Sequence, residues 1–574
     1  MDGNVSWMCW PRFDSSSIFG SMLDPENGGN FKVGPALEDY KSNQTYLGNT
    51  NILVTEFLSS DGAFRVTDFA PRHFHNGRYM RPLMLCRKLE PLSGSPQVRV
   101  SCQPRGDYGK IKTSITETSE CLHFDGLERP VRLYTDISFT YVKNEQAFTL
   151  NKPVYMILTW SMTLDEPIQE VWENHFQQTR FYWEQWVFRT SIGPVYQTQV
   201  IRSALTLKLH QFEDTGAVIA ASTTSLPESP GSSRTWDYRY CWLRDTFYTL
   251  KALNGIGHFD ELVGYANFVQ NIAVSETGGF QPVYAISGES QLSEKLLDLP
   301  GYLGNQPVRV GNQAFEHIQN DVYGQVLVSL LPLFIDERFT QHGFRTPSLK
   351  LVRDTLTQIE KRIDEADAGL WEFRNKAHKF CYTYLFHWAG AYSALKIARK
   401  FKDEDMADRA QVIIQKANDE IQKCYRPHLG AYAMSQDTDL MDSSLFHLVT
   451  LGYLDPKSEL ARNQIDVLSE KLHVDESGLF YRYKHADDFG KPESAFLICS
   501  FWYVEALACV GRIGEATTVF EKLLKYSNHL GLFSEDVDPR DGAQWGNFPQ
   551  TYSHVGLMNA AFRIAQKLDR PIFL

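Results

Sequence analysis

Two glutamates in unlike surroundings have the makings of an acid–base pair. Glu372 lies in Gly369-Leu370-Trp371-Glu372-Phe373-Arg374, and Glu535 lies in Leu532-Phe533-Ser534-Glu535-Asp536. A carboxyl beside Trp371 and Phe373 should be desolvated and hold its proton, whereas one beside Ser534 and Asp536 should stay ionised. That division of labour is what cleavage of a glycosidic bond by a general acid and a general base requires. The plain alternative for either is a solvated surface carboxylate, since the chain has 69 acidic residues. Arg374 is a second complication, because pairing with Glu372 would lower the pKa that an acid needs raised.

A further group sits in Trp236-Asp237-Tyr238-Arg239-Tyr240-Cys241-Trp242-Leu243-Arg244-Asp245. The Arg244 guanidinium offers a fixed fork of donors and the Asp245 carboxylate accepts from two hydroxyls, so together they suit vicinal sugar hydroxyls. An ion pair at a helix start is the structural alternative. Trp236, Trp242, Trp371 and Trp545 are stacking candidates for a sugar face, with core packing an equal explanation for Trp242. The acidic run Asp536–Gly542 lacks the alternating oxygens and terminal Glu of a calcium loop. No phosphate-binding glycine loop and no His-Glu-x-x-His is present, so neither metal nor cofactor is expected.

These residues need elements to hold them, and the chain shows two textures. Up to about residue 165, short alternating segments such as Gln97–Cys102, Ile137–Val142 and Val154–Trp160 are broken by turn formers, which predicts an antiparallel β-sandwich over 1–165. Trp172, Phe176, Trp183 and Trp186 recur at helical spacing and predict a linker helix within 166–195. From 196 to 574 the period is helical, as in Ile201/Leu205/Leu209, Phe315/Ile318/Val322/Val326, Leu385/Trp388/Tyr392/Leu395 and Phe496/Cys499/Trp502/Ala506/Cys509. Long Gly-, Pro- and Asp-rich loops such as Thr223–Arg234 and Leu297–Asn312 separate the helices, which suggests a ring of helical hairpins rather than a bundle. The expected class is therefore mainly α with an N-terminal β domain.

Composition excludes other roles. A chain of 574 residues with 43% hydrophobic and 22% charged residues has the size of two globular domains. The formal net charge of -12 argues against nucleic acid, and no apolar run is long enough for a membrane span. A small carbohydrate is the expected partner, with homo-oligomerisation left open. Nine scattered cysteines without Cys-x-x-Cys spacing are expected as buried free thiols, and a start without a basic or apolar leader suggests the cytoplasm.

Three stretches, Trp236–Asp245, Gly369–Arg374 and Gly546-Asn547-Phe548-Pro549-Gln550-Thr551-Tyr552-Ser553-His554, resemble the bacterial glucoamylase and trehalase-type members of glycoside hydrolase family 15. The opening Asp2–Trp7 and Pro11–Ser15 are similar as well, so the likeness spans nearly the whole chain. It implies a β-sandwich, a linking helix and an (α/α)6 barrel that releases glucose from non-reducing ends with inversion. Glu372 would be the general acid and Glu535 the general base, with roughly 6.5–9.5 Å between them for a water. It further implies that Arg244 and Asp245 bind the terminal glucose and that Arg482, in Phe480-Tyr481-Arg482-Tyr483, touches the sugar at the pocket floor or the next subsite. Leu370 and Trp371 come with the acid's motif. Tyr552 and His554 could orient the water or its base, and Asn305–Asn312, with Arg309, would form the rim. Pro492–Phe496 departs from the family's more glycine-rich stretch, which bears on preference beyond the first sugar. An α-glucosidase of glucoamylase type is the first expectation and a trehalase the alternative; a non-catalytic sugar-binding homologue ranks below both.

Overall fold

The computed structural model describes residues 1–275, 279–340 and 347–568. Its first compact unit comprises Met1–Thr190 with Asp298–Gly304, and its second comprises Ser191–Leu297 and the chain from Asn305 onward.

In the first unit, period-two patterning is converted into two faces. An antiparallel eight-stranded sheet runs, from edge to edge, through Ser114–Glu117, Cys121–Asp125, Val131–Thr135, Val154–Trp160, Met84–Gly94, Gly62–Phe69, Leu53–Ser59 and Tyr40–Tyr46, and a four-stranded sheet of Asn4–Val5, Phe31–Pro35, Gln97–Cys102 and Phe148–Thr149 completes the sandwich. Every residue of the central strand Val154–Trp160 is buried. Val154, Met156, Leu158 and Trp160 enter the sandwich core, while Tyr155 and Ile157 point the other way and pack with Trp172 of the helix Ile168–Phe188. Trp172 in turn stacks on Phe176 at 5.0 Å. Buried Arg87 reaches from one sheet towards the other, donating to Asp68 and to the carbonyls of Phe31 and Gly3. One expectation fails here: Ile137–Val142 is no strand, and Phe139–Lys143 is a short helix capped by Ser138, whose hydroxyl accepts from Thr140 N. A short alternating run does not outweigh a local cap of that kind.

The second unit is an (α/α)6 barrel. Six inner elements, Leu243–Gly255, Asp321–Ile335, Cys381–Phe401, the short pair Ser443–Phe446 and His447–Thr450, Leu497–Cys509, and Thr551–Lys567, each contact the next, and the last closes on the first. Inner helices are buried over most of their surface, as in Leu497–Cys509 where every residue is buried, and outer helices such as Glu404–Gln422 and Glu459–Leu472 bury one stripe. Two inner helices meet at Gly324 and Gly390, where a Cβ on Gly324 would lie 2.0 Å from the Phe386 carbonyl oxygen, so only glycine lets the backbones come this close. The expected continuous face Phe315/Ile318/Val322/Val326 is interrupted, because Gln313–Glu316 is a separate 3-10 turn and Ile318 is 52% exposed.

None of the nine cysteines forms a disulfide, and all are buried except the half-buried Cys9. No helix among the described residues is long and apolar enough to cross a membrane.

Candidate active site

The inner helices begin at one common end, and their first residues supply the pocket. Arg244 and Asp245 are in the first turn of Leu243–Gly255, Gln319 precedes Asp321–Ile335, Phe496 caps Leu497–Cys509, and Gln550 caps Thr551–Lys567 just before Tyr552. The pocket so formed, about 840 Å³ with its open mouth included, is lined by Arg244, Asp245, Trp236, Leu370, Trp371, Glu372, Arg482 and Tyr552, among others. Loops in barrels of this kind are free to vary, whereas helix starts are fixed by the core beneath them.

Glu372 sits on a strained turn. Its φ is +59°, a left-handed conformation unusual for a residue with a side chain. The turn begins at Gly369 (φ +67°), where a Cβ would strike the Phe380 ring at 2.5 Å. Buried Asp367 ties it down by accepting from Gly369 N, Asn320 N and the Thr383 hydroxyl, and Trp371 donates its indole N–H to Asp442 at 2.8 Å. The result aims one oxygen of Glu372, Oε1, at three donors: Trp242 Nε1 (2.8 Å), Arg244 Nη2 (3.1 Å) and Gln319 Nε2 (3.2 Å). Arg244 also donates to Tyr552 Oη and Gln319 Oε1, so it is the hub of this end of the pocket.

The charges differ from the sequence expectation. Burial pushes the Glu372 carboxyl up, but Arg244, His317 and the Gln319 and Trp242 bonds outweigh it and hold the pKa below the ordinary glutamate value. Glu535 goes the opposite way, raised to about 8 by burial and then by the neighbouring negative charge of Glu228. Its flanking sequence looked polar, yet the residue is only 1% exposed and lies beside buried Asp536. Asp245 is also pushed up, to about 7, by burial that Arg244 only partly offsets, and its Oδ1 has no hydrogen-bond partner among the described residues.

Glu372 faces the pocket, but Glu535 is not among the residues lining it. Tyr238 does line it: its ring lies against Trp242 at 5.5 Å, and its hydroxyl donates to Glu535 Oε1 at 2.6 Å, which ties Glu535 to the pocket wall. Glu535 Oε2 has no hydrogen-bond partner among the described residues. The carboxylate that does line the pocket on this side is Glu228, which accepts from Trp236 Nε1 (3.2 Å) and pairs with Arg482.

Other expectations need correction. His554 is fully buried and does not line the pocket; its Nε2 accepts from Phe533 N and its Nδ1 bonds to Ser203, so it positions the backbone leading to Glu535 and touches nothing that enters the site. Arg374 pairs with Gln313 and Glu294, and Arg244 takes the place beside Glu372 that the sequence offered to it. Arg309 lies beneath Trp236 at 4.6 Å, bonded to Glu294 and the Ser233 and Thr235 carbonyls, so it supports the wall and is no rim contact, whereas Asn312 does line the pocket. Trp242 does more than fill the core, through its bond to Glu372. Trp545 is not a lining residue and belongs to the strand Gln544–Trp545 beside Asp536–Val537. Asp538, in the acidic run, spends both oxygens on Arg540. Sequence reasoning missed Glu228, Tyr238, Gln319 and Phe489. Two had a signal: Glu228 falls in the long loop Thr223–Arg234, and Tyr238 in the motif of Arg244.

The sequence and the fold are similar to those of known proteins. Residues 194–562 match glycosyl hydrolases family 15, and residues 1–153 match a domain described as trehalase-like, N-terminal. The trehalase of Thermoplasma volcanium is 31% identical over 100% of this chain and 91% of its own length, and that of Mycobacterium tuberculosis is 31% identical over 98% and 86%. The crystal structure of a bacterial glucoamylase complexed with acarbose shares the fold, with a TM-score of 0.69 at 16% identity, covering 98% of this chain and 91% of that one. With the sandwich matched, and with the helices that carry the pocket matched from Leu243 onward, the chain belongs to glycosyl hydrolases family 15.

Proposed function

We propose that this glycoside hydrolase is a trehalase that cleaves one α-glucosidic bond with inversion, so that trehalose and water give one α- and one β-glucose. The observation that carries this reading over the glucoamylase one is that the relatives alike over both units are named trehalase, at 30–31% identity over 98–100% of the chain. The glucoamylase likeness, at 16% identity, bears on fold alone.

In this reading one glucose occupies the inner end of the pocket, held by Arg244 and Asp245. Glu372 protonates the departing oxygen, and Glu535, tied to the pocket wall by Tyr238, takes a proton from the attacking water through Oε2, the oxygen with no hydrogen-bond partner among the described residues. The ligand-free charges are the reverse of those roles, and substrate must reorder them. When Arg244 and Gln319 turn to sugar hydroxyls, Glu372 loses donors and burial prevails, which favours its protonated form. The Arg482 guanidinium and the Tyr238 hydroxyl favour the charged form of Glu535. The test is to incubate the protein with trehalose, maltose, isomaltose and maltotriose in parallel and follow the anomers by NMR. Glucose from trehalose, initially with equal α and β anomers, is expected; turnover of maltose with none of trehalose overturns the reading.

The Glu228 carboxylate gives a separate prediction. Whichever carboxyl is acid and whichever base, kcat/KM falls above the higher pKa of the pair, which belongs to Glu535 at about 8. Glu228→Gln removes a negative charge that raises that value. The alkaline limb of the kcat/KM–pH profile should therefore move to lower pH, and an unchanged limb would contradict the coupling.

A further inference from the structure

A second, surface-open cleft adjoins the main pocket, about 570 Å³ with the open space at its mouth included, lined by buried Ser229 and Ser494 and by Ser232, Ser233, Lys491 and Glu493 nearer the surface. Among the described residues, three line both: Glu228, Arg234 and Phe489. The first two are buried and fixed in place, Glu228 by Trp236 and Arg482, and Arg234 by Asp487 and the Gly490 carbonyl. Phe489 is half-exposed and is the one apolar member of the three.

The turn that carries Phe489 is stapled on both flanks. Asp487 accepts from Phe489 N (2.7 Å), from Tyr483 and from Arg234. Asp488 accepts from Arg374 N (2.6 Å) and Asn375 Nδ2 (3.1 Å), which ties the turn to the segment holding Glu372. The Phe489 ring lies edge-on to Trp236 at 5.1 Å and within 5.5 Å of the Arg234 and 5.2 Å of the Arg374 guanidinium. A ring so held is a wall between a pocket that has aromatic faces and a chamber lined by hydroxyls, an ammonium and a carboxylate, the groups that bind sugar hydroxyls.

We propose that Phe489 is a specificity-determining residue that ends the pocket after the second sugar ring, and that the chamber behind it is a latent site for a third. This rests on the trehalase reading for the identity of the disaccharide, while the limit on ring number stands on the partition itself. In the native protein the ring packs against the leaving glucose and bars an extended one. Removing it joins the two cavities.

The experiment compares kcat/KM of the wild type, Phe489→Ala, Phe489→Leu and Phe489→Tyr on trehalose, on a trehalose trisaccharide bearing one additional α-1,4-linked glucose, on maltose and on maltotriose. Phe489→Ala should raise the trisaccharide-to-disaccharide ratio by about tenfold or more, with the loss on the disaccharide carried by KM and not by kcat. Phe489→Leu should move the ratio the same way by less, which covers poor folding of the alanine variant, and Phe489→Tyr should keep the wild-type ratio. A ratio unchanged in both truncations, or a fall in kcat on every substrate, overturns the proposal. A wild type that cleaves maltose and not trehalose sinks the trehalase reading alone, because the maltotriose-to-maltose ratio still reports on Phe489.

Discussion

If the trehalase reading and the role of Glu372 as general acid hold, Glu372→Gln should lower turnover of trehalose by about 10²–10⁴-fold, the usual worth of one general acid, but leave hydrolysis of α-glucosyl fluoride close to wild type. Fluoride departs without a proton, so a missing acid matters only for a poor leaving group. Glu535→Gln falls by a similar factor on both substrates, since water must be activated whatever leaves. Steady-state kinetics on the two substrates separate the roles cleanly. Rescue of Glu535→Gln by fluoride, and not of Glu372→Gln, would exchange the assignments in favour of the ligand-free charge order, in which Glu535 at about 8 carries the proton and Glu372 does not.

Loss of Arg244 is the other large effect. Its guanidinium is 5% exposed and bonds Tyr552, Gln319 and Glu372 at once. Arg244→Met should lower kcat/KM by about 10²–10³-fold, the scale of deleting one preorganised donor. It should also free the Glu372 carboxyl from the charge that holds it down, so the acidic limb of the kcat/KM–pH profile moves to higher pH. Arg244→Lys keeps the charge without the planar fork. It should restore the position of that limb while recovering little turnover. A limb that stays put in Arg244→Met would mean that Arg244 does not set the protonation of Glu372.

Much of this was legible in residue order. The change from period-two to helical texture marked the β unit and the barrel, and Val154–Trp160 and Phe496–Cys509 read correctly because burial on both sides of an element leaves a dense apolar run. Arg244, Asp245, Trp371 and Glu372, which line one pocket, could be picked out because each lies in a short distinctive motif. Ile137–Val142 and the face through Ile318 misled for the same reason in reverse: a few residues of apparent period carry little weight against a cap or a turn. His554 was named with Tyr552 because both follow the loop after Glu535, yet two positions apart on a helix turns it away from its neighbour.

The amino-acid order by itself determined which side chains are available for the reaction and on which kinds of element they ride, since propensity, period and motif are properties of neighbours along the chain. Only the tertiary structure decided what charge those side chains bear and which of them meet. Glu372 takes its low pKa from a guanidinium 128 positions away, and Glu535 is bridged to the pocket wall by a tyrosine 297 positions away. Electrostatic environment depends on distance through space and on the water removed by folding, and neither is written in the flanking residues.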